Sequence, residues 1–531
     1  MNREIAKVKK EFVKEGSVNE AKDLTPTLTV NLNSIQKEFN NSPDLIIRRF
    51  SFGAQPQGQG AVVFIDGLAD KKQVEWSILR PLMLMEGAGP EKANVVDRLE
   101  YMELNLITVG EIKRLYRLDQ VVAAVLSGET VLMIDGTAAG LAIATPGWEK
   151  RSVNQPDSEV IIKGPRDGFI ETLRTNTALL RRKLGDPRLT LETLSVGTRT
   201  KTDVCIAYLQ DIADPKLIKE IKQRLNRINT DGVLSAGSLE EFIEDAPLSF
   251  FATMGYTERP DVVSAKLLEG RAAVFVDGTP VVLTAPFLFI ENFQSPDDYT
   301  FKPFFGTLIR WARYLAFLIS ILLPAAYVAL VSFHQELIPT QLLITTAAAI
   351  EGTPFPVVIE ALVMGLVFEI LREAGIRLPR PIGQTVSIVG ALVIGEATVS
   401  AGLVGAPLII VVAFTAITSF VTPTLVQETT IIRFALTILS GFLGAFGITI
   451  GLLAILVHMA SLRSFGVPFL SPITPLNLRD LGQDVLIRAP WWAMYTRPKV
   501  IGSQNRVRQD FYSKPGPTRG GQGEATDETL E

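Results

Sequence analysis

The sequence predicts an α/β soluble N-terminal region of two related subdomains, followed by an all-α polytopic membrane domain. Three observations carry that prediction. Residues up to about Arg313 read as a charged, soluble chain, whereas Tyr314 to about Ala460 is dominated by Leu, Ile, Val, Ala, Gly and Phe. Two strand-then-Asp units recur at a nearly constant spacing within the first part. The apolar part nevertheless carries Glu360, Glu369, Arg372, Gln384 and Glu396, groups that hydrocarbon tolerates only when they face a bundle interior or a wet path.

Taken in order, residues 1–39 read as a polar N-terminal extension. Lys7, Lys9, Lys10, Lys14 and Lys22 alternate there with acids and no apolar core follows, so no signal peptide and a cytosolic N-terminal domain are expected. Residues 40–150 form subdomain 1. Its first unit is the apolar run Ala61–Ile65, then Asp66 and Asp70, then a helical pattern through Leu79 and Leu82. The echo is Val204–Leu209, Asp214, then Ile218, Ile221 and Leu225, inside subdomain 2 at 190–300. A second pair, Val121–Asp135-Gly136 and Val262–Asp277-Gly278, repeats the correspondence. The offsets agree, 214 − 70 = 144 and 277 − 135 = 142, so strands alternating with helices define two copies of one α/β unit.

The acids of these units have two readings. Asp135-Gly136 and Asp277-Gly278 fit tight turns after apolar strands. Asp70 and Asp214 sit where helices begin and suit N-caps, or they line a cleft between the subdomains. Between the copies, residues 151–189 form a linker with a basic helix, either solvated or turned towards a partner subunit or the membrane face. Gly53–Gly60 lacks the Lys-Ser/Thr of a phosphate cradle and reads as a loop.

The membrane domain, residues 301–460, contains five apolar segments: Tyr314–Phe333, Pro354–Leu371, Ile382–Leu403, Pro407–Val426 and Phe434–Ala460. The loop Arg372–Arg380 and the basic C-terminal region, 461–513, both belong on the cytosolic side by their arginines. Five crossings would separate that region from a cytosolic N-domain. The Gly-rich third segment is therefore read as re-entrant, giving about four spans plus one re-entrant segment.

Glu360, Glu396 and Gln384 are the candidates for an ion path, with polar glue for the bundle as the competing role. Glu369 pairs with Arg372 at i+3 on the rim. Gly441, Gly444, Gly447 and Gly451 form a smooth strip for helix packing, and self-association through it is a natural extension. Residues 514–531 read as a disordered, Gly- and Thr-rich tail.

The single cysteine, Cys205, excludes an internal disulfide framework, and its apolar strand setting makes it structural. His334 and His458 stand alone, so no metal and no cofactor are implied. Nothing points to nucleic acid or to an enzyme.

Longer literal motifs then appear. They include Pro354-Phe-Pro356, Phe368-Glu-Ile-Leu-Arg-Glu-Ala-Gly-Ile-Arg-Leu-Pro379, Pro381-Ile-Gly-Gln-Thr385, Arg166-Asp-Gly-Phe169 with Arg174-Thr-Asn176, and Gly255-Tyr-Thr-Glu-Arg-Pro260. Over about residues 40–500 the chain resembles the A subunit of the spore germinant receptors, the GerA family. That resemblance implies a protein of the spore inner membrane acting with a transporter-like B subunit and a lipoprotein C subunit. It also implies homo-oligomerisation into a channel that releases monovalent cations on germinant binding. Gly365 follows Met364 where members often carry an acid, so no carboxylate carries over to that position. The runner-up is the paralogous stage V sporulation membrane protein. A secondary transporter would need an internal repeat that the membrane part lacks, and an anchored enzyme would need a catalytic constellation.

Overall fold

The structure, a computed structural model, describes residues 22–52, 58–84, 95–147, 161–378, 393–502 and 504–509, with positions 156, 159, 390 and 515. Its first unit opens with helix α1 (Leu28–Glu38) and the strands β1 (Leu45–Phe52) and β2 (Gly58–Ile65). Helical turns from Lys71 to Met83 and a helix over Val95–Asn105 come next, then strand β3 (Ile112–Leu115), helix α2 (Leu118–Leu126), β4 (Thr130–Ile134) and β5 (Gly140–Ile143). The five strands form one antiparallel sheet in the order β1-β2-β4-β5-β3.

Both faces of this sheet are covered, which is why its central strands are apolar throughout. Successive side chains point to opposite faces. Ala61, Val63 and Ile65 meet Leu28, Leu32 and Ile35 of α1 and Val121 and Val125 of α2. Val62 and Phe64 meet Val74, Ile78, Leu82 and Met102 on the other side.

The second unit repeats the plan. It runs through α3 (Leu173–Lys183), β6 (Leu189–Val196), β7 (Thr202–Leu209), α4 (Pro215–Arg227), α5 (Ala236–Ile243) and β8 (Gly255–Thr257). It closes with α6 (Pro260–Leu268), β9 (Ala272–Val276) and β10 (Val282–Ala285). Its sheet order, β6-β7-β9-β10-β8, is that of the first sheet. The start of β6 trails that of β1 by 189 − 45 = 144 residues, and the start of α6 trails that of α2 by 260 − 118 = 142.

Two segments differ from the sequence reading. The 1–39 extension contains α1, whose Leu28, Leu32 and Ile35 enter the first core, so the first α/β unit begins ahead of residue 40. The linker's basic helix is α3, and only Arg174 and Arg182 of it are exposed. Its residues Asn176 to Arg181 are buried between the two units. Ala178 joins the first core, while Leu179 and Leu180 join the second. The apolar spacing was visible, but it also fits a helix covered on two sides.

The helical region follows. It comprises α7 (Pro303–Ser332), α8 (Thr340–Ile350), α9 (Val357–Arg377), α10 (Ala406–Ser419) and α11 (Val426–Ser461). Two stretches, Pro303–Ser332 and Pro423–Ser461, are long and apolar enough to cross a membrane. The second is not one straight rod. Gly444 has φ +60° and ψ −140°, a backbone state open in practice only to glycine. It splits α11 into two arms that fold back on each other. A Cβ on Gly451 would lie 2.5 Å from Leu436, and one on Gly447 would lie 2.2 Å from the Leu439 carbonyl oxygen. Phe333 and His334, at the end of α7, pack against this turn.

The segment read as re-entrant, Ile382–Leu403, is described only at Gly390 and from Val393 onward. Gly390 lies beside Leu371, and Gly402 lies beside Gly352, which precedes α9. Within the fifth segment the chain reverses at Gly444. The start of α7 and the end of α11 both lie on the side of the sheets, through Arg310 with Asp298 and His458 with Ser249. At 1.5 Å per residue the 18- and 17-residue arms of α11 are each about 26 Å long, near the ~30 Å of a hydrocarbon layer.

The C-terminal region packs back on the second unit rather than trailing free. Gln504 donates its backbone N–H to the Ile212 carbonyl at 3.0 Å, and Arg497 donates to the Leu268 carbonyl at 2.6 Å. Apart from Pro515, the 514–531 tail lies outside the described residues.

Candidate functional site: buried charges of the helical region and its junction with the sheets

Pro356 precedes α9 and presets its first turn, which carries Glu360 inward. Glu360 is 2% exposed. One oxygen accepts the Gly405 N–H at the start of α10, at 3.2 Å. The other, Oε1, has no hydrogen-bond partner among the described residues. Two and a half turns further on, the opposite face of α9 presents Glu369. Its carboxylate bridges Arg372 on its own helix and Arg433 on the first arm of α11. Thr430 donates to it at 3.2 Å.

Glu396 is not in either cluster. It lies on the helical stretch 393–400 and is exposed, together with Val393, Ala397 and Ser400 at helical spacing. Gln384 lies outside the described residues. The structure therefore brings Glu369 and Arg372 together, and it keeps Glu360 and Glu396 apart from them.

The glycine strip is consumed within the chain. Gly441 abuts Val358 of α9, Gly444 abuts Phe333, and Gly447 and Gly451 seat the two arms of α11 on each other. It offers no free face for a second copy.

In the soluble units, Asp70 caps its helix by accepting from the backbone of Lys72 at 2.9 Å and Gln73 at 3.3 Å. Asp214 does the same for Lys216 at 2.9 Å. A cleft of about 230 Å³ between the units is lined by Asp66, Lys71, Arg174 and Arg182, and by neither Asp70 nor Asp214. Asp66 pairs there with Lys71 at 2.8 Å and Arg174 at 3.3 Å. Asp135 and Asp277 do more than turn the chain. Their carboxylates accept the first N–H of α1 from Leu28 (2.9 Å) and of α3 from Leu173 (3.0 Å).

The soluble units hold further perturbed groups. Burial pushes the Glu240 carboxyl up to about 7, with Glu244 and Glu241 adding to the effect. Burial likewise lowers the Lys266 ammonium, against the pull of Glu291 at 3.3 Å.

The junction between sheets and helices is a second charged cluster. Arg310 of α7 is fully buried and binds Asp298 at 3.2 Å and Asp484 of the C-terminal region at 3.1 Å. Arg313 reaches Asp298 at 2.8 Å, and the Tyr299 hydroxyl donates to Asp484 at 2.8 Å. Charges removed from water in this way stay in place only while every partner is present. The cluster thus ties the exit of the second unit, the first long helix and the returning chain into one piece.

Residues 33–500 match the Bacillus/Clostridium GerA spore germination protein family. The chain belongs to the GerA family. It is 43% identical to spore germination protein KA of Bacillus subtilis over 93% of this chain and 90% of that protein. It is 31% identical to stage V sporulation protein AF of the same organism, over 84% of this chain and 89% of that one. The crystal structure of the N-terminal domain of the A subunit of the Bacillus megaterium germinant receptor GerK3 is 34% identical. It covers 51% of this chain and 99% of that domain, with a TM-score of 0.40.

In this GerA-family chain, sequence reasoning missed Arg433, Asp298, Arg310 and Asp484. Arg433 was legible as a lone cation at the edge of an apolar run, but starting the fifth segment at Phe434 left it outside. Asp298, Arg310 and Asp484 are 12 and 174 residues apart, separations that carry no periodic signal.

Proposed function

We propose that this GerA-family chain is the A subunit of a nutrient germinant receptor in the spore inner membrane. In this reading it works with a transporter-like B subunit and a lipoprotein C subunit. Copies of it assemble into a channel for monovalent cations, whose opening triggers germination. Both termini face the cytosol, and the helical region from α7 to α11 is the membrane domain.

One observation carries the channel reading. Glu396 is an exposed carboxylate on a helix otherwise built of apolar and small residues. Facing lipid would cost it about 3 kcal/mol. A second copy or a water-filled path is the environment that suits it, and a ring of carboxylates around an axis attracts cations. Glu360 has a different place in this reading: its bond to Gly405 locks α9 to α10 and so sets the position of the neighbouring segment. The junction at Arg310 supplies the mechanical link from the sheets to α7. The higher identity to spore germination protein KA than to stage V sporulation protein AF favours the receptor over its paralogue.

The test is potassium release from spores carrying Glu396→Gln, with the protein quantified in the same membranes. Nutrient-triggered release should slow roughly tenfold, equivalent to about 1.4 kcal/mol on the conducting step. Wild-type release at wild-type protein level would remove Glu396 from the ion path.

A further inference from the structure

After the second arm of α11, the chain runs back along the start of α7 and presents an apolar edge there. Four hydrogen bonds fix its course. The Val485 carbonyl accepts from the Tyr314 hydroxyl at 3.1 Å, and the Leu486 carbonyl accepts from the Trp311 indole N–H at 2.7 Å. The Arg488 N–H donates to Thr307 Oγ1 at 3.1 Å, and the Trp491 indole N–H donates to the Tyr299 carbonyl at 3.1 Å. Partners step from 314 down to 299 as the chain advances from 485 to 491, so the segment lies antiparallel to the first turns of α7.

The two sides of this segment differ. Val485 and Arg488 are buried against α7, while Leu486, Ile487 and Trp491 are about half exposed. Beside them α7 exposes Phe304, Leu308 and Trp311, which share one helix face at spacings of four and three. A contiguous apolar patch of this kind on a polar-backed segment marks an interaction surface.

The depth of the patch follows from α7 itself. Arg310 and Arg313 are its last charges, and no charged residue occurs from Tyr314 to Ser332. Hydrocarbon therefore begins near Tyr314, and residues 304–311 and 486–491 occupy the layer just outside it. Tryptophan, with an apolar body and one N–H, is suited to that layer.

The geometry points to an interfacial anchor: residues 485–491 lie in the headgroup layer of the bilayer, with Leu486, Ile487 and Trp491 against lipid. The occupant is lipid because the patch is continuous with the helix that enters the membrane. This rests on the reading of α7 as membrane-spanning. It assigns the C-terminal region a place on the membrane surface rather than free in the cytosol.

Nitroxide labelling of single cysteines in the full chain, reconstituted in phosphatidylcholine–phosphatidylglycerol vesicles, tests it. Ile487→Cys and Leu308→Cys probe the patch, and either suffices should the other not accumulate. Leu315→Cys marks the lipid face of α7 and Leu234→Cys the exposed surface of the second unit. The native Cys205 is fully buried, with its thiol pushed up to about 12, and stays unlabelled. The ratio of collisions with oxygen to collisions with a water-soluble nickel chelate should be severalfold higher at 487 and 308 than at 234. A ratio at 487 and 308 equal to that at 234, with 315 in lipid, would overturn the anchor and leave the membrane reading intact. Exclusion of both reagents from 487 would mean a protein partner covers the patch, and would also overturn it. A water-like ratio at 315 would overturn both.

Discussion

Replacing Arg181 by methionine should destabilise the soluble part of the chain sharply, and the structure gives the scale. Arg181 sits on α3 and is fully buried between the two α/β units. Its guanidinium forks onto both oxygens of Asp44, at 3.0 Å each, and reaches the Ser42 hydroxyl and the Asp186 carbonyl at 3.3 Å. Asp44 is itself 2% exposed. Arg181→Met leaves that carboxylate buried with only the Ser42 hydroxyl, at 2.5 Å. Removing one partner of such a pair costs about 3–5 kcal/mol, whereas replacing both with apolar groups is often near neutral. At roughly 2–4 °C per kcal/mol for a unit of this size, the midpoint should fall by about 6–20 °C. Thermal unfolding of the full chain in detergent, followed by circular dichroism, measures it. Arg181→Met combined with Asp44→Ala should recover most of the loss, because the two effects couple. A single variant melting within a degree or two of wild type, or a double variant as unstable as the single, would refute the reasoning.

Gly444→Ala should abolish accumulation of the protein in membranes. The added Cβ meets a backbone at φ +60° and lies 2.9 Å from the Phe333 Cβ, and immunoblotting against Gly237→Ala, which meets nothing within 4 Å, supplies the control. Glu240→Gln should stabilise the chain at alkaline pH and leave it unchanged in acid. The folded state holds the Glu240 proton up to about pH 7, against a usual value of 4.5, so wild-type stability from this group is full below about pH 4.5 and is lost as pH rises through 7. Melting points of both proteins between pH 4 and 8 should therefore diverge upwards; parallel curves would assign the proton elsewhere.

Much of the soluble architecture was legible because a duplicated pattern is a strong signal. Apolar strands ending in Asp, repeated at 144 and 142 residues, required only that two units share one plan. Register and partners were less visible. Asp135 and Asp277 looked like turn residues because a carboxylate that caps a helix more than a hundred positions away leaves no local trace. The helical region was less legible. Parity demanded that one apolar segment not cross singly, and glycine content pointed to the third segment. Gly444 in the fifth turns the chain back, and spacing alone cannot distinguish a packing glycine from one with a left-handed φ. Of the candidate ion-path residues, Glu360 and Glu396 both emerged from the same rule about charge in apolar sequence. Only three-dimensional packing separates the buried one from the exposed one.

The return of the C-terminal region to the second unit, at Ile212 and Leu268, has a mechanical consequence. The second α/β unit is held at two points, by its own exit into α7 through Arg310 and by residues 497–504 across its surface. The first unit has no such moorings in the hydrogen bonds and ion pairs described, and it rests on the second through α3, Asp44 and Arg181. In any rotation against the second unit, the first would then act as the free arm of a lever. The fulcrum is α3, and the load at the far end is the first helix of the membrane layer.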